Sequence, residues 1–551
     1  MTNFDTMRGA KGDVILDMKG LRIGGKSKAG WAEIVKGIDL TLRRGEILGL
    51  IGESGAGKST IGLAALGYVK PGCRITDGTI LFAGDDLGEL SEADLRRLRG
   101  VRIAYVAQSA AAAFNPAHRL IDQFTEVAVV HGIRDAASAR AEAVELYRKL
   151  HLPDPELFGE RFPHQVSGGQ LQRAMVAMAL ACKPDIIVFD EPTTALDVTT
   201  QIEVLAAIKD VVRDFRTAAI YITHDLAVVA QLADRIMVLR HGELVEEGRT
   251  RQILEQPVAD YTRQLLRRDP PKSNASTSSR KILTVSSVDA GYGSIKILQD
   301  VSLSVAEGTT VAVVGESGSG KSTLARVVTG LLPSSKGTIL FEDKPLHTSL
   351  KRRSLDLRRR IQLIHQMPDT SLNPRHRVRE VLGRPLTFYH GLTGRIRTAR
   401  IIELLEQIEL DPTFLNRYPE ELSGGQKQRL CIARALAAKP DLIICDEVTS
   451  ALDQSVAQGI LRLLMDLQKN LRVSYLFITH DLQTVRAIAD EVVVMNQGRI
   501  VEQGPKDQFF SPPHHPYTQL LLTSVPQMDP HWLDSIRETR AALAEAVALA
   551  G

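Results

Sequence analysis

One glycine-rich segment occurs twice in this chain of 551 residues. Residues 52–59 read GESGAGKS, and residues 315–322 read GESGSGKS. Further short segments recur behind each copy, in the same order and at nearly the same spacing: Gln108 and Gln366, SGGQ at 167–170 and 423–426, Asp-Glu at 190–191 and 446–447, and Thr-His-Asp at 223–225 and 479–481. Such collinear matches indicate tandem duplication, and the length of the repeat makes each copy a domain and excludes a solenoid.

A short polar segment separates the two copies. Residues 268–279 contain two prolines near their start, continue mainly with serine, asparagine and threonine, and lack apolar periodicity. This composition is typical of a flexible linker. The sequence therefore predicts a first domain over 1–268, a linker over 269–282 and a second domain over 283–551, which ends in a C-terminal tail over about 505–551.

Charge and cysteine content exclude several classes of protein. Lys and Arg number 68 against 65 Asp and Glu, so bulk charge gives no reason to expect nucleic-acid binding. The four cysteines are scattered, without a Cys-x-x-Cys pair, which is typical of a reducing compartment. The N-terminus lacks the features of a secretory signal, and no apolar run approaches the roughly 18–20 residues of a membrane span. We expect a cytosolic chain that reaches a membrane only by binding a component there.

Within each copy, short apolar runs alternate with helical patterns, which predicts an α/β fold with a mostly parallel sheet. The runs at 47–51 and 311–314 lead into the glycine-rich segments. The helix that follows each glycine-rich segment should bury a stripe of apolar residues on one face. We expect these stripes to extend to Tyr68 in the first copy and Leu331 in the second. A further amphipathic helix precedes each SGGQ segment, so each core is predicted to carry a helical insertion.

A strand, the pattern G-x-x-x-x-G-K-[ST] and a helix together form a phosphate-binding loop. Glycines let consecutive backbone N–H groups turn toward the phosphates, and the helix N-terminus adds positive potential. We expect the lysine to reach the β- and γ-phosphates and the following serine to bind Mg²⁺. The residues predicted to bind nucleotide in these loops are Gly52, Glu53, Ser54, Gly55, Ala56, Gly57, Lys58, Ser59 and Thr60 in the first copy, and Gly315, Glu316, Ser317, Gly318, Ser319, Gly320, Lys321, Ser322 and Thr323 in the second.

An acidic pair follows an apolar run in each copy, Asp190 and Glu191 in the first and Asp446 and Glu447 in the second. Carboxylates at the exit of a buried strand lie where parallel α/β sheets bind ligands. The aspartates suit the coordination shell of Mg²⁺, and the glutamates suit orienting or deprotonating an attacking water. We therefore predict Asp190 and Asp446 as metal ligands and Glu191 and Glu447 as catalytic residues.

The SGGQ segment runs directly into a helical pattern in both copies. Adjacent glycines permit close backbone approach, and a helix start offers unpaired N–H groups to an anion. The residues predicted to bind an anion here are Ser167, Gly168, Gly169 and Gln170 in the first copy, and Ser423, Gly424, Gly425 and Gln426 in the second.

Together these segments resemble the ATP-binding cassette (ABC) ATPases along nearly the whole chain. In that family they are the Walker A loops, glutamine loops, signature motifs and Walker B strands, accompanied here by D-loops at 195–197 and 451–453 and by switch histidines His224 and His480. The resemblance implies two P-loop NTPase domains, each with a helical subdomain, and ATP and Mg²⁺ as cofactors. It also implies that both histidines contact the γ-phosphate, so we count them among the catalytic residues.

The resemblance also implies a head-to-tail pair of domains, with each ATP between one Walker A loop and the other signature, so that one chain could form both composite sites. Neither copy lacks its lysine, glutamate, signature serine or histidine, and we expect both to hydrolyse ATP. Gln108 and Gln366 are placed at the metal by the same resemblance. Tyr292 occupies the position at which the family stacks an aromatic ring on adenine, whereas the first copy has Gly24 and Gly25 in the comparable stretch, and a substitute role for Trp31 stays open.

Two features are similar to the dipeptide/oligopeptide/nickel importer branch of this family. The Asn-Pro turns at 115–116 and 373–374 follow the glutamine loops, and the tail at 512–518 reads PPHHPYT. Some members of the branch carry a cysteine cluster near the tail, but this chain has no cysteine beyond Cys445. We therefore expect no iron–sulfur cluster.

The resemblance implies an ATPase that powers uptake of peptides or related solutes at the cytoplasmic face of the bacterial inner membrane, where it would be peripheral. Its implied partners are two membrane permeases and an extracytoplasmic solute-binding protein. Dipeptides, longer peptides, glutathione, nickel complexes and opine-like compounds all stay open as cargo. The alternative is a soluble tandem-ABC translation factor acting on ribosomes. Such factors usually have a long, charged, helical linker, so the short Ser/Pro-rich segment and the low net charge favour the importer.

Overall fold

The chain divides into two compact units. Unit 1 comprises Met1–Arg268 and Pro526–Arg537, and unit 2 comprises Asp269–Val525 and Glu538–Gly551. Ala195 and Ala451 of the predicted D-loops and most of the predicted linker lie outside the described residues. The computed structural model describes residues 13–27, 30–194, 196–266, 280–450 and 452–550.

Unit 1 combines strands and helices in alternation. Its strands are β1 (Val14–Ser27), β2 (Gly30–Arg43), β3 (Ile47–Ile51), β4 (Cys73–Phe82), β5 (Asp85–Asp86), β6 (Ile103–Val106), β7 (Ile186–Asp190), β8 (Ala218–Thr223), β9 (Arg235–Arg240) and β10 (Glu243–Arg249). Its helices are α1 (Lys58–Ala64), α2 (Glu92–Leu98), α3 (Ala110–Ala113), α4 (Leu120–Val130), α5 (Ala136–Lys149), α6 (Pro155–Phe158), α7 (Gly168–Leu180), α8 (Val198–Phe215), α9 (Leu226–Ala230), α10 (Thr250–Glu255) and α11 (Asp260–Leu266), with a 3₁₀ turn at Pro163–Gln165.

Unit 2 repeats this order. Its strands are β11 (Lys281–Tyr292), β12 (Ile295–Ala306), β13 (Thr310–Val314), β14 (Lys336–Phe341), β15 (Lys344–Pro345), β16 (Ile361–Ile364), β17 (Leu442–Asp446), β18 (Ser474–Ile478), β19 (Glu491–Asn496) and β20 (Arg499–Pro505). Its helices are α12 (Lys321–Thr329), α13 (Leu355–Arg360), α14 (Pro368–Ser371), α15 (Val378–His390), α16 (Gly394–Gln407), α17 (Gly424–Leu436), α18 (Gln454–Leu471), α19 (Leu482–Ile488), α20 (Lys506–Phe509) and α21 (Pro516–Thr523), with 3₁₀ turns at Leu350–Arg352, Pro412–Asn416 and Pro419–Glu421. The last helix, α22 (Trp532–Ala550), begins within the part of the chain that belongs to unit 1.

Each unit contains a mostly parallel sheet and an antiparallel sheet. In unit 1 the order of the larger sheet is β10-β9-β3-β8-β7-β6, and only the β9–β10 pair is antiparallel. The corresponding order in unit 2 is β16-β17-β18-β13-β19-β20. The smaller sheets, β2-β1-β4-β5 and β12-β11-β14-β15, pair their strands antiparallel. The predicted parallel core is confirmed, and the antiparallel sheet is an addition that the sequence reading missed.

The strand before each glycine loop is buried on both faces. In β3, Ile47 and Ile51 belong to the apolar cluster on the side of the signature helix α7, while Leu48 and Leu50 belong to the cluster that includes the antiparallel sheet. Gly49 lies between them, and a Cβ there would come within 2.3 Å of Val229. This two-sided burial is typical of parallel strands in α/β folds, and it fixes the loop that follows.

The stripes predicted after the glycine loops are shorter than expected. Helix α1 ends at Ala64, and Gly67 turns the chain with a φ of 62°. Tyr68 therefore lies beyond the helix and is 41% exposed, and Leu331, which follows the C-cap Gly330 of α12, is 52% exposed. Glycine in the left-handed conformation commonly ends a helix in this way.

Residues 526–537 pack into the core of unit 1, although the sequence analysis assigns them to the second domain. Trp532 and Leu533 are 5% and 0% exposed and join the apolar cluster that contains α7 and α8. The buried Gln231, which follows α9, donates through Nε2 to the carbonyls of Gln527 and Asp529 at 2.6 and 3.0 Å. Its Oε1 accepts from the backbone N–H of Leu533 at 3.1 Å.

None of the helices in the described part of the chain combines the length and the apolar character that a membrane crossing requires.

Candidate functional site

The glycine loop of each unit bends tightly against its own sheet. Gly52 has a φ of 151°, and a Cβ at this position would come within 2.1 Å of the carbonyl oxygen of Leu239. Gly315 has a φ of 152° and the same separation from the carbonyl oxygen of Met495. Only glycine fits at these positions, because any side chain would collide with backbone atoms.

The loop lysine is buried and held by loop carbonyls in both units. Lys58 Nζ donates to the carbonyl oxygens of Gly52 and Glu53 at 2.7 and 2.9 Å. Lys321 Nζ repeats these bonds with Gly315 and Glu316 at 2.8 and 2.7 Å. A buried ammonium needs such acceptors, and a phosphate oxygen bound within the loop can replace them.

The loop serine meets the first acidic residue of the predicted pair. Ser59 Oγ donates to Asp190 Oδ1 at 2.8 Å, and Ser322 Oγ donates to Asp446 Oδ1 at 2.9 Å. Burial raises the pKa of Asp446, against the effect of the Ser322 hydrogen bond. In unit 1 the Tyr105 hydroxyl also donates to Asp190, at 2.6 Å, and burial together with this bond raises the pKa of Tyr105.

One hydroxyl and one carboxylate are a donor set that suits Mg²⁺, because this ion usually takes one or two carboxylates and completes its octahedron with water and phosphate oxygens. Among the described residues, His, Cys, Asp and Glu side chains form no group of three that could hold a metal by itself. The geometry therefore fits a metal bound together with a nucleotide phosphate, and it does not fit a closed protein cage.

The second acidic residue lies between a glutamine and a histidine. In unit 1, Gln108 Nε2 donates to Glu191 Oε2 at 3.0 Å, and His224 Nδ1 lies 3.1 Å from Glu191 Oε1. Thr194 Oγ1 also donates to Glu191 Oε2, at 3.1 Å. The sequence analysis missed Thr194, whose small hydroxyl carries no recognisable pattern. Two segments distant in the chain, which carry Gln108 and His224, thus converge with the nearby Thr194 on one carboxylate.

Unit 2 repeats this triad. Gln366 Nε2 donates to Glu447 Oε2 at 2.6 Å, and His480 Nδ1 lies 3.5 Å from Glu447 Oε1. Both glutamines therefore contact the glutamate in this structure, whereas the sequence analysis places them at the metal.

Both glutamates adopt a backbone conformation that is uncommon for residues other than glycine. The φ angles of Glu191 and Glu447 are 47° and 50°. A backbone hydrogen bond to the neighbouring strand holds each glutamate. The N–H of Glu191 donates to the carbonyl of Ile222 at 2.9 Å, and the N–H of Glu447 donates to the carbonyl of Ile478 at 3.0 Å. Such conformations cost free energy and persist where the surroundings enforce them, which is frequent at functional sites.

The charges of the triad reinforce each other. Burial alone would lower the pKa of His224, but the hydrogen bond and charge of Glu191 outweigh it and raise this pKa. Burial alone would raise the pKa of Glu191, but His224 and Lys58 outweigh it and lower this pKa. The pKa of His480 is raised in the same way by Glu447, against the effect of burial. Glu191 is therefore an ionised carboxylate at neutral pH, as an acceptor of a hydrogen bond from water must be.

The signature segments begin helices α7 and α17. Ser167 caps α7, since its Oγ accepts from the N–H of Gln170 at 3.3 Å while Gln170 Oε1 accepts from the N–H of Ser167 at 3.1 Å. Ser423 and Gln426 form the same capping box at 3.3 and 3.0 Å. Gly169 is needed for packing, because a Cβ there would come within 1.9 Å of Thr200. The reciprocal cap explains the serine and the glutamine of each SGGQ segment.

An exposed aromatic ring lies near the end of the first hairpin in both units. Tyr292 pairs with Ile295 at the end of β11, is 43% exposed, and accepts a hydrogen bond from Arg326 at 2.7 Å. The β1–β2 hairpin is longer, and its Trp31 pairs with Lys26 and is 50% exposed. The guanidinium of Arg74 lies 4.2 Å from the centroid of the Trp31 ring.

Each unit thus brings a lysine-bearing glycine loop, a serine–aspartate pair and a glutamate that contacts a glutamine and a histidine to the same edge of a parallel sheet, which defines a P-loop nucleoside triphosphatase. The family described as "ABC transporter" matches residues 35–194 and 298–450, and the family "Oligopeptide/dipeptide transporter, C-terminal region" matches residues 501–549. The chain belongs to the ABC transporter ATPases, in the branch that carries the oligopeptide/dipeptide transporter C-terminal region.

Curated relatives match almost the whole chain. The glutathione import ATP-binding protein GsiA of Salmonella choleraesuis is 38% identical over 562 residues, which cover 94% of this chain and 90% of the relative. GsiA of Escherichia coli O6:H1 is 37% identical over 541 residues, which cover 90% of this chain and 87% of the relative. The chain is also similar to the solved structure of cbiO1 from Clostridium perfringens, part of an ABC transporter complex. The match covers 42% of this chain and 91% of the cbiO1 chain, with 31% sequence identity and a TM-score of 0.39.

These matches confirm the predicted family, the fold of two ABC ATPase domains and the ATP-hydrolysing activity of an ABC importer subunit. They favour the importer over the translation factor, because the importer-type C-terminal region and the duplicated cassette occur together in one chain.

Proposed function

We propose that this ATPase drives the uptake of glutathione or of peptides of similar size through separate membrane permeases. The observation that carries this proposal is the similarity to glutathione import ATP-binding proteins over 94% of the chain. An oligopeptide/dipeptide-type tail at 501–549 supports the same class of cargo. Two permease subunits and an extracytoplasmic solute-binding protein would complete the system, with this chain peripheral on the cytoplasmic side of the inner membrane.

We assign the roles in the ATP site from the contacts within each unit. Lys58 and Lys321 would neutralise the β- and γ-phosphates, once they exchange the loop carbonyls for phosphate oxygens. Ser59 with Asp190, and the equivalent pair in unit 2, would hold Mg²⁺. When bound, Mg²⁺ would supply positive charge to the phosphate oxygens during cleavage.

The catalytic step is assigned to the triads. Glu191 and Glu447 would accept a hydrogen bond from the attacking water and orient it toward the γ-phosphate. Gln108 and Gln366 fix the carboxylates from one side in the structure described here. The histidines contact them from the other side, and their raised pKa values favour a positive charge next to the developing negative charge.

One chain carries two complete sets of loop, signature and catalytic residues. We therefore propose that it forms both composite ATP sites without a second copy. ATPase activity per chain should then be independent of protein concentration, and activity that falls on dilution would contradict this part of the proposal.

The cargo can be tested by reconstitution. The chain is co-purified with candidate permease subunits from the same organism, placed in proteoliposomes with a candidate solute-binding protein, and supplied with radiolabelled glutathione, a dipeptide or nickel ion. We expect ATP-dependent accumulation of glutathione or the dipeptide and none of free nickel. ATP-dependent uptake of nickel alone, or co-purification of the chain with ribosomes and not with the permeases, would refute the proposal.

A further inference from the structure

A tyrosine hydroxyl from the segment after the last sheet strand contacts the glycine loop in each unit. In unit 2, the backbone N–H of Glu316 donates to Tyr517 Oη at 2.8 Å. In unit 1, the N–H of Glu53 donates to Tyr261 Oη at 3.3 Å. Tyr517 and Tyr261 are only 1% and 7% exposed. Because the same contact occurs in two separate units, it belongs to the architecture of this duplicated domain.

The peptide group contacted by the tyrosine is the one that also holds the loop lysine. The N–H of Glu316 shares its peptide group with the carbonyl of Gly315, which accepts from Lys321 Nζ at 2.8 Å. In unit 1 the N–H of Glu53 shares its peptide group with the carbonyl of Gly52, which accepts from Lys58 Nζ at 2.7 Å. If the lysine turns to a phosphate, its bond to this carbonyl is lost. The hydrogen bond between the tyrosine hydroxyl and the loop N–H then remains, and it holds the second residue of the loop in place.

The tyrosine is itself held firmly against the edge of the sheet. In unit 2 the N–H of His515 donates to Glu502 on β20 at 2.9 Å, and the N–H of Tyr517 donates to His515 Nδ1 at 3.2 Å. In unit 1 the start of α11 is anchored by Glu246 on β10, which accepts from the N–H groups of residues 258 and 259 at 2.8 and 3.0 Å. The position of the hydroxyl is therefore set by the sheet.

We propose that Tyr261 and Tyr517 are positioning residues for the nucleotide, each of which fixes the peptide group between the first two residues of its glycine loop in the geometry that binds phosphate. The proposal rests on the ATP sites proposed above. It gives a role to a C-terminal element that lies outside the matched ABC cassette regions at 35–194 and 298–450. It also explains why the first copy, with its shorter tail, keeps the Tyr-Thr pair at 261–262.

Removal of the hydroxyl leaves the loop N–H without this acceptor. The empty loop then rearranges to find another one, and nucleotide binding must reverse the change. We expect Tyr517→Phe to weaken MgADP binding to unit 2 by about tenfold, the factor that corresponds to the loss of one hydrogen bond. Tyr261→Phe should weaken binding to unit 1 less, by about threefold, because its bond is longer and longer hydrogen bonds are weaker.

The MgADP affinity of each site is measured separately in full-length chains. Tyr517→Phe is tested in a Lys58→Ala background, which disables the loop of unit 1, and Tyr261→Phe in a Lys321→Ala background. MgADP affinity is measured by isothermal titration. The matched control is Tyr475→Phe, which removes another buried tyrosine hydroxyl of unit 2, bonded to the carbonyl of Leu464 at 3.0 Å. In chains with both lysines intact, we expect KM for ATP to rise more than kcat falls.

A Tyr517→Phe chain that binds MgADP as tightly as its Lys58→Ala parent would overturn the proposal. So would a Tyr475→Phe chain that loses as much affinity as Tyr517→Phe, because the effect would then reflect general loosening of the unit. Full MgADP binding by a Lys58→Ala, Lys321→Ala chain is a different failure, since it would refute the proposed ATP sites themselves. If Tyr517→Phe does not fold, the Tyr261→Phe comparison decides.

Discussion

Gln231 is one of the residues through which unit 1 holds the C-terminal segment 526–537, and its replacement by alanine tests the contribution of its hydrogen bonds. The side chain is 2% exposed and exchanges three hydrogen bonds with the segment, with donor–acceptor distances of 2.6, 3.0 and 3.1 Å. A buried hydrogen bond contributes about 0.5–1.5 kcal/mol net, so we expect a loss of roughly 2–4 kcal/mol. For a unit of this size, that is a fall of about 5–15 °C in the unfolding temperature.

The assay combines calorimetry with hydrogen exchange of the full-length chain. In Gln231→Ala, the amides of 526–537 should exchange faster and the transition assigned to unit 1 should move down, while unit 2 is unchanged. Arg537→Ala is the matched control, because the side chains of Arg537 and its partner Asp210 are 40% and 22% exposed. A surface ion pair of this kind contributes less than about 1 kcal/mol. Unaltered exchange in the segment, or equal effects of the two variants, would refute the reasoning.

Three further predictions follow from the site. Tyr292→Ala should weaken nucleotide binding to unit 2 and Trp31→Ala to unit 1, each by roughly 0.5–1.5 kcal/mol if the ring stacks on adenine; unchanged affinity measured by titration would exclude the stacking. Ser322→Ala should raise the Mg²⁺ concentration needed for half-maximal ATPase activity, and an unchanged Mg²⁺ dependence would contradict the metal role. Alanine at both Asn-Pro turns, 115–116 and 373–374, should spare ATP binding but uncouple hydrolysis from transport in proteoliposomes; coupling that persists would show that the turns are ordinary surface loops.

The chemistry of the site was readable from the sequence because each group occupies a fixed place relative to a strand. Lys58 follows β3, Glu191 follows β7 and His224 follows β8, and these three strands are parallel neighbours. Parallel strands bring their carboxyl ends to one edge, so order along the chain predicts proximity in space. The meeting of Glu191 with both Gln108 and His224 depends on side-chain geometry, which motif spacing does not encode.

The antiparallel sheet and the placement of 526–537 could not be derived in the same way. Strands β1 and β4 pair across a span that includes the glycine loop. The spacing of motifs along the chain does not show which distant strands pair. The segment 526–537 joins unit 1 far from its own place in the sequence. One trace of this packing is visible in the sequence, because aligning Thr-His-Asp at 223–225 with 479–481 places Gln231 opposite Ala487. A single substitution between two copies is explained only when its contacts are known.

The two copies also differ in the hairpin that carries the exposed aromatic ring. The β1–β2 hairpin extends beyond the last pair of its counterpart, so Trp31 is placed on the returning strand and Tyr292 on the outgoing one. A comparison by spacing alone aligns Tyr292 with a glycine, because it cannot register a hairpin of different length.

The most direct test of the account is ATP turnover by the Glu191→Gln, Glu447→Gln chain, compared with a chain that carries Glu243→Gln at an exposed position outside the site. The double substitution keeps the size and polarity of the side chains but removes the two carboxylates that would orient water. We expect it to bind MgATP with near-normal affinity while steady-state hydrolysis falls by at least about 100-fold, and Glu243→Gln to behave as the unaltered chain. Hydrolysis at the normal rate in the double variant would contradict the assignment of both catalytic sites.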